Sequence, residues 1–366
     1  MKILIIHPSV ELYGADKILL YILQFLEKNN DITVLVPKEG ILLEEIAKIS
    51  QNIKILVNSE LPIVHSKIGI KGFLSLPCKV HKFNNLFPKN TFDLVYCNTL
   101  ATIMLLYNQW SNKKVIHVHE IIENKLLNLG FSILLKLKTK NVLCVSKHVK
   151  QNLYFSEDYY VLHNGIPDKY QCNIDAEIEK KKLSFVLPGR YMKKKGQFFL
   201  LETLKKIDKD ILKNCSFLLY GSAPPSSPKN ETLLATAIKE NDLENVVKLC
   251  GFSKNISDIY LQGDVLLIPS LMADPFPTTV IESMMFCKPL ITTNNGGASE
   301  IVKESFGILI QPNNIEEFKK AILFFINNKE KIKRMGYSAR QEYLIKLTIE
   351  TFQINFAKIM KEILEK

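Results

Sequence analysis

Leu183-Ser184-Phe185-Val186-Leu187-Pro188-Gly189-Arg190-Tyr191-Met192-Lys193-Lys194-Lys195-Gly196 is the stretch that decides the reading of this chain. The mostly apolar run Leu183–Leu187 ends at Pro188-Gly189 and reads as a short buried strand. A basic turn follows, then Gly196–Ile207 with helical spacing. Strand, turn and helix in that order make one unit of a parallel α/β sheet. Downstream, strands are predicted at Phe217–Tyr220, Val246–Leu249, Val265–Ile268, Leu290–Thr292 and Gly307–Leu309. Upstream they are predicted at Lys2–His7, Asp31–Val36, Asn52–Val57, Phe92–Tyr96, Lys114–His117 and Asn141–Val145, with helices over Gly14–Lys28 and Ile41–Ile49. The fold class read from this alternation is α/β, two doubly wound domains in series with a boundary near Asn164–Lys180. Ligands of such sheets bind beyond the carboxyl ends of the strands, and two sheets facing each other leave a cleft for a site.

Composition narrows the function classes. The 366 residues are 47% hydrophobic and 23% charged, which argues against disorder and suffices for two cores. No apolar stretch reaches the ~18–20 residues that span a bilayer. Met1–Pro8 reads as a strand running into proline, without the features of a signal peptide. The seven cysteines stand singly with no C-x-x-C pair, so neither a disulfide framework nor a zinc site is expected, and the reading is cytoplasmic. The net charge of +11 is unevenly placed: residues 61–150 hold 13 lysines against Asp93, Glu120 and Glu123. Such a zone suits an anionic partner. No nucleic-acid-binding module accompanies it, so nucleic acid is not expected.

Three segments after strands carry chemistry. In Gly189–Gly196, Arg190 offers a planar fork and Lys195 a flexible point charge, a pair suited to a diphosphate. In Pro269–Met285, Pro275 and Pro277 fix an extended backbone, and a helix begins at Thr278 or Thr279 with threonine as its cap. A helix start there is an anion site, flanked by Asp274 before it and Glu282 one turn inside. In Thr292–Glu300, Gly296-Gly297 lets backbone approach a ligand closely. The one D-x-D, Asp208-Lys209-Asp210, reads as the solvated end of a Lys-rich helix and not as a metal site.

In this order the segments resemble glycosyltransferase family 4, of the GT-B fold and the bacterial surface-polysaccharide type. Gly189/Arg190/Lys195/Gly196 resembles its phosphate clamp, Asp274-x7-Glu282 its E-x7-E motif, and Gly296/Gly297/Glu300 its G-G-x-x-E loop. Tyr13-Gly14-Ala15-Asp16-Lys17 resembles its G-G-A-E loop, Val115–Glu120 its H-x-H-[DE] loop, and Val161–Pro167 its entry to the second domain. The likeness covers essentially the whole chain. It implies two Rossmann-like domains facing across a cleft: residues 1–165 for the acceptor, 166–345 for the nucleotide-sugar donor, and a C-terminal helix 346–366 that can return to the first domain.

The resemblance also assigns roles. Arg190 and Lys195 neutralise the donor diphosphate, Asp274 faces the sugar, and Glu282 holds the ribose. The amides of Phe276, Thr278, Thr279 and Val280 contact sugar and phosphate, and Phe252 borders the base. Gly14 approaches the diphosphate, and His119 sits at the sugar's reacting face. Two departures stand out: aspartate replaces the first glutamate of the motif, and Pro277 replaces a glycine and has no N–H to donate. The implied reaction is retaining transfer of a sugar from a nucleotide-diphosphate sugar to a lipid-linked or glycan acceptor, with no cofactor and no metal. A nucleotide-sugar 2-epimerase of the same architecture and a non-catalytic sugar-nucleotide-binding protein are the alternatives. Finally, Ser66–Lys89 and Lys125–Lys140 mix lysines with large apolar residues. That mixture suits docking on the anionic inner face of a membrane; ordinary core with solvated lysine edges is the competing reading.

Overall fold

The computed structural model describes residues 1–64, 80, 81, 83–170 and 182–365. Most of the expected basic segment Ser66–Lys89, residues 66–79 and 82, lies outside them, as do 171–180 of the expected boundary near Asn164–Lys180. The chain forms two compact units, Met1–Gly165 with Ile349–Lys366, and Ile166–Thr348.

The first unit runs β1 (Lys2–Ile6), α1 (Gly14–Leu26), β2 (Asp31–Val36), α2 (Ile41–Ile49), β3 (Lys54–Val57), β4 (Leu94–Asn98), a 3-10 helix (Leu100–Tyr107), β5 (Lys114–Val118), α3 (Lys125–Lys138), β6 (Val142–Cys144), α4 (Lys147–Asn152) and β7 (Tyr160–Val161). Its seven strands are parallel in the order β3-β2-β1-β4-β5-β6-β7. Ile3, Leu4, Ile5 and Ile6 are all buried, as a parallel strand covered on both faces requires. On α1 the stripe Ile18, Leu19, Ile22, Leu23 and Leu26 packs inward at helical spacing.

The second unit runs β8 (Leu183–Pro188), a 3-10 turn (Lys193–Lys195), α5 (Gln197–Leu204), α6 (Lys209–Leu212), β9 (Cys215–Tyr220), α7 (Asn230–Glu240), β10 (Val247–Gly251), α8 (Ile256–Tyr260), β11 (Val265–Ile268), α9 (Thr278–Met285), β12 (Leu290–Thr293), α10 (Ala298–Ile301), β13 (Gly307–Ile310), α11 (Ile315–Asn327) and α12 (Lys329–Lys346). Its six parallel strands lie in the order β10-β9-β8-β11-β12-β13. Phe185 of β8 and Phe217 of β9 stack at 4.9 Å within its core.

After α12 the chain returns to the first unit. Helix α13 (Ile349–Glu365) buries Phe352, Phe356, Ile359, Met360 and Ile363 there. The Phe356 ring meets Phe25 at 6.0 Å and Tyr96 at 6.2 Å. Burying one such phenylalanine stabilises by roughly 1.5–3 kcal/mol.

Two local expectations need correction. Asp208-Lys209-Asp210 does not close a helix: α5 ends at Leu204, and Asp208 caps α6 by accepting the Asp210 amide at 2.7 Å. Neither Thr278 nor Thr279 caps α9. Pro277 holds the cap position with extended dihedrals, because its ring already fixes φ near the needed value. Strand β7, two residues long, carries too short a pattern for periodicity to register.

Candidate active site

Strand order reverses in the second unit between β8 and β11, and ligands of open α/β sheets bind beyond the carboxyl ends of the strands at such a reversal. Glycine lets the loops after β8 and β11 meet there. Gly196 has a φ of +86°, and a Cβ there would stand 2.2 Å from the Pro269 carbonyl oxygen, so no larger residue fits. The Leu271 amide donates to the Lys194 carbonyl at 2.9 Å, tying the two loops together. Lys195 is thereby held with Nζ 3.5 Å from Asp274 Oδ2, both side chains about a third exposed (32% and 31%).

The loop after β12 locks onto the same place. Asp274 and Gly296 form a parallel bridge, and the Gly297 amide donates to the Asp274 carbonyl at 2.9 Å. Gly296, with a φ of +70°, would drive a Cβ to 2.2 Å from that carbonyl oxygen. Phe276 is buried beside this loop. The first amides of α9, from Thr278 and Thr279, lie at the helix start, where backbone donors lack intrahelical partners, while the Val280 amide donates to the Pro277 carbonyl at 3.2 Å. Glu282, one turn further, accepts a hydrogen bond from the Tyr260 hydroxyl at 2.5 Å. Tyr260 is buried and stacks on Phe286 at 5.2 Å, so its hydroxyl is a fixed donor to that carboxylate.

The structure thus gathers Lys195, Asp274, Gly296, Gly297 and the start of α9. Arg190 is exposed in the loop after β8, its carbonyl accepting from Gln197 Nε2 at 3.0 Å. Phe252 lies apart, 70% exposed after the edge strand β10, two strand spacings or roughly 10 Å from β8.

In the first unit the corresponding reversal falls between β1 and β4. Their ends carry His7 and Asn98, and His119 follows β5. His7 Nε2 lies 2.5 Å from Asp16 Oδ1, Asn98 Nδ2 2.9 Å from His7 Nδ1, and His119 Nε2 3.0 Å from Asn98 Oδ1. Burial pushes the Asp16 carboxyl up, but His7, the Tyr13 amide and Ser9 outweigh this and hold it below the usual aspartate range. The Leu12 amide also donates to Asp16, at 2.9 Å, and pins Leu12 at a φ of +102°. Burial, then the neighbouring His117 and His7, push His119 well below the ordinary histidine range. Burial alone pushes His117 down to about 3. Glu120 takes the amides of Leu100 and His119. Gly14 opens α1 in open space, with no atom within 4 Å of where a Cβ would stand, so packing does not demand glycine there.

Sequence reasoning passed over Tyr260, His7 and Asn98. A detectable signal existed for two of them: His7 and Asn98 are the polar residues that end apolar strands. Among the described residues, no group of three or more His, Cys, Asp or Glu is arranged to hold a metal ion.

Residues 173–342 match the family described as glycosyl transferases group 1. The chain is 24% identical over 316 residues to an uncharacterized glycosyltransferase of Methanocaldococcus jannaschii, covering 82% of this chain and 85% of that one. It is 23% identical over 233 residues to the capsular polysaccharide biosynthesis glycosyltransferase CapH of Staphylococcus aureus, covering 60% and 64%. Its fold is similar to the crystal structure of Anabaena Alr3699/HepE in complex with UDP-glucose, with a TM-score of 0.78 and 20% identity over 99% of this chain and 100% of that one. The chain is therefore a glycosyltransferase of the GT-B fold, and its residues 173–342, just under half of it, match the glycosyl transferases group 1 family.

Proposed function

We propose that this glycosyltransferase moves a sugar from a nucleotide-diphosphate sugar to a lipid-linked or polysaccharide hydroxyl in cell-surface glycan assembly, with retention of configuration. The observation that carries the reading is Lys195 held beside Asp274 at the β8/β11 reversal, next to the start of α9. A departing diphosphate needs preorganised positive charge, and Lys195, Arg190 and the helix amides supply it. In this reading the cations replace a metal ion. Asp274 orients the sugar, Glu282 holds the ribose in the geometry set by Tyr260, and Phe252 borders the base. From the first unit, Gly14 serves the diphosphate and His119 the sugar. The reading gives no carboxylate among the described residues the part of a covalent nucleophile, which favours same-face attack assisted by the leaving phosphate.

A donor panel read by thermal shift tests this, starting with UDP-glucose because the similarly folded Anabaena protein was crystallised with it. At a hundred times Kd a donor stabilises by about 2.7 kcal/mol, which raises the melting of a unit of this size by roughly 5–10 °C. Glu282→Ala is expected to weaken donor and free nucleotide alike, since both carry the ribose. A shift lost for donor but kept for nucleotide would remove the ribose role. A protein that responds to no sugar nucleotide, and transfers nothing to a lipid-linked acceptor fraction, would overturn the function.

The acceptor side involves an anionic membrane surface. Helix α3 is inverted relative to an ordinary surface helix. Its inward face includes Asn128 and Ser132: the Ser132 hydroxyl donates to Asn128 Oδ1, and Asn128 Nδ2 donates to the Asn152 carbonyl. Its outward stripe is Leu126, Leu129, Ile133 and Leu137, with Leu126 81% and Leu137 69% exposed. Lys125 and Lys136 flank one side of the stripe and Lys138 the other. Only Leu135 of this segment's large apolar residues joins the core. Among the described residues no helix is long and apolar enough to cross a membrane, so this face suits lying on one. Each lysine near an anionic leaflet contributes about 1 kcal/mol. The protein is expected to sediment with anionic vesicles at low salt and much less at high salt or with neutral lipid. The double variant Leu126→Ser/Leu137→Ser should lose that binding while keeping its melting temperature. Equal sedimentation of the two proteins would remove the membrane surface from the proposal.

A further inference from the structure

The chain of polar side chains in the first unit has a definite donor order. Asp16 is buried and receives the Leu12 and Tyr13 amides as well as His7. An ionised carboxylate only accepts, so His7 carries a proton on Nε2, and in the neutral ring its Nδ1 bears a lone pair. The group that meets that lone pair must donate, which orients the Asn98 amide with Nδ2 toward His7 and Oδ1 toward His119. His119 Nε2 must then donate to Oδ1. A neutral imidazole has one N–H, so the lone pair of His119 falls on Nδ1.

We propose that Asp16, His7 and Asn98 are positioning residues that fix His119 in its Nε2–H form, so that Nδ1 is presented as a hydrogen-bond acceptor to a sugar hydroxyl. The inference rests on the assignment of His119 to the donor sugar made above. Its support is the geometry of the chain and its placement. Four polar side chains meet at the one point of the first sheet where the strand order reverses, and β1 before His7 is apolar throughout Ile3–Ile6. Packing alone would be served by apolar residues there, because buried polar groups that gain nothing beyond one another are costly to keep. His117 lies against His119 with ring centroids 4.1 Å apart, and its own Nδ1 is 2.8 Å from the Tyr96 hydroxyl. The ring of His119 is therefore clamped as well as its tautomer.

Long-range proton–nitrogen correlation on full-length protein labelled at histidine nitrogens reads the tautomer directly, with the His119 signal identified by its loss in His119→Gln. Wild type is expected to show protonated Nε2. In His7→Leu and in Asn98→Leu the signal should move to the Nδ1–H form or to an average of the two. kcat with UDP-glucose, or with whichever sugar nucleotide the panel selects, should fall about tenfold or more, the value of one well-placed hydrogen bond. KM for the donor and affinity for free UDP should change little. Asn98→Asp keeps an acceptor toward His119 and should retain both the Nε2–H form and more of kcat than Asn98→Leu. Protonated Nδ1 in wild type, or an unchanged signal in both leucine variants, would overturn the positioning chain alone. Unchanged kcat in His119→Gln would instead overturn the assignment of His119 to the sugar, and the proposal with it.

Discussion

Replacing Lys195 by alanine is expected to lower kcat by roughly 10²–10³-fold, the usual effect of removing one group that stabilises charge developing in the transition state. The same change should barely affect folding. The Lys195–Asp274 pair spans 3.5 Å with each side chain about a third exposed, and ion pairs of that kind contribute about 0–1 kcal/mol to stability. Activity and stability therefore separate by two orders of magnitude, and that separation is the signature of a group kept for chemistry. Arg190→Ala should show the same separation. Asp274→Glu should keep more activity than Asp274→Ala, because a carboxylate remains to orient the sugar. Transfer rates on the purified variants, alongside their melting curves, decide the matter: near-wild-type turnover in Lys195→Ala would remove the phosphate clamp.

Arg340→Met is expected to do the reverse, destabilising the second unit without touching the chemistry. Arg340 is buried on α12, and its fork grips both oxygens of Asp168, at 2.8 and 2.5 Å. The remaining donors reach the Met285 carbonyl at the end of α9, at 2.9 Å, and the Tyr170 carbonyl, at 2.8 Å. One side chain thus fastens the start of the second unit to the helix whose other end is the proposed anion site. Removing one partner of a buried pair costs about 3–5 kcal/mol; because Asp168 is a third exposed, roughly 2–4 kcal/mol is expected here, or about 5–15 °C in melting. Burial raises the Asp168 carboxyl, but Arg340 and the Tyr170 amide outweigh it and hold it below the ordinary value. A lowered carboxyl stabilises fully above the usual aspartate pKa of about 3.9 and loses that contribution as pH falls through the folded value. The gap between wild type and Arg340→Met should therefore be wide at pH 7 and narrow below about pH 4. A gap independent of pH would mean that packing of the arginine stem, and not its charge, carries the effect.

Much of this fold was legible because parallel strands buried on both faces are nearly continuous apolar runs. Lys2–Ile6, Asp31–Val36 and Val265–Ile268 declare themselves without any partner in view. Boundaries slipped where a strand ends on a polar residue: Asn98 closes β4 yet reads as loop, since its pairing with His117 of β5 is set by a neighbour distant in sequence. Helix α3 was ambiguous for a related reason. Leucines at helical spacing fix that one face is apolar but not which way the face turns, and here Asn128 and Ser132 take the inward side. The loops after β8, β11 and β12 could be read from their glycines and prolines, whose backbone demands are local. Tyr260 could not, because its bond to Glu282 depends on how α8 and α9 pack.

Helix α13 has a consequence for the order in which the protein is made. A ribosome that has released Gly165 has synthesised every strand of the first sheet but not the helix that covers part of it. The whole of Ile166–Thr348 must be translated before Phe352, Phe356, Ile359, Met360 and Ile363 reach their places. Throughout that interval the nascent first unit displays an apolar surface around Phe25 and Tyr96, a ready ligand for chaperones. A product that ends before Ile349 keeps that surface uncovered, because the residues that bury it are never made.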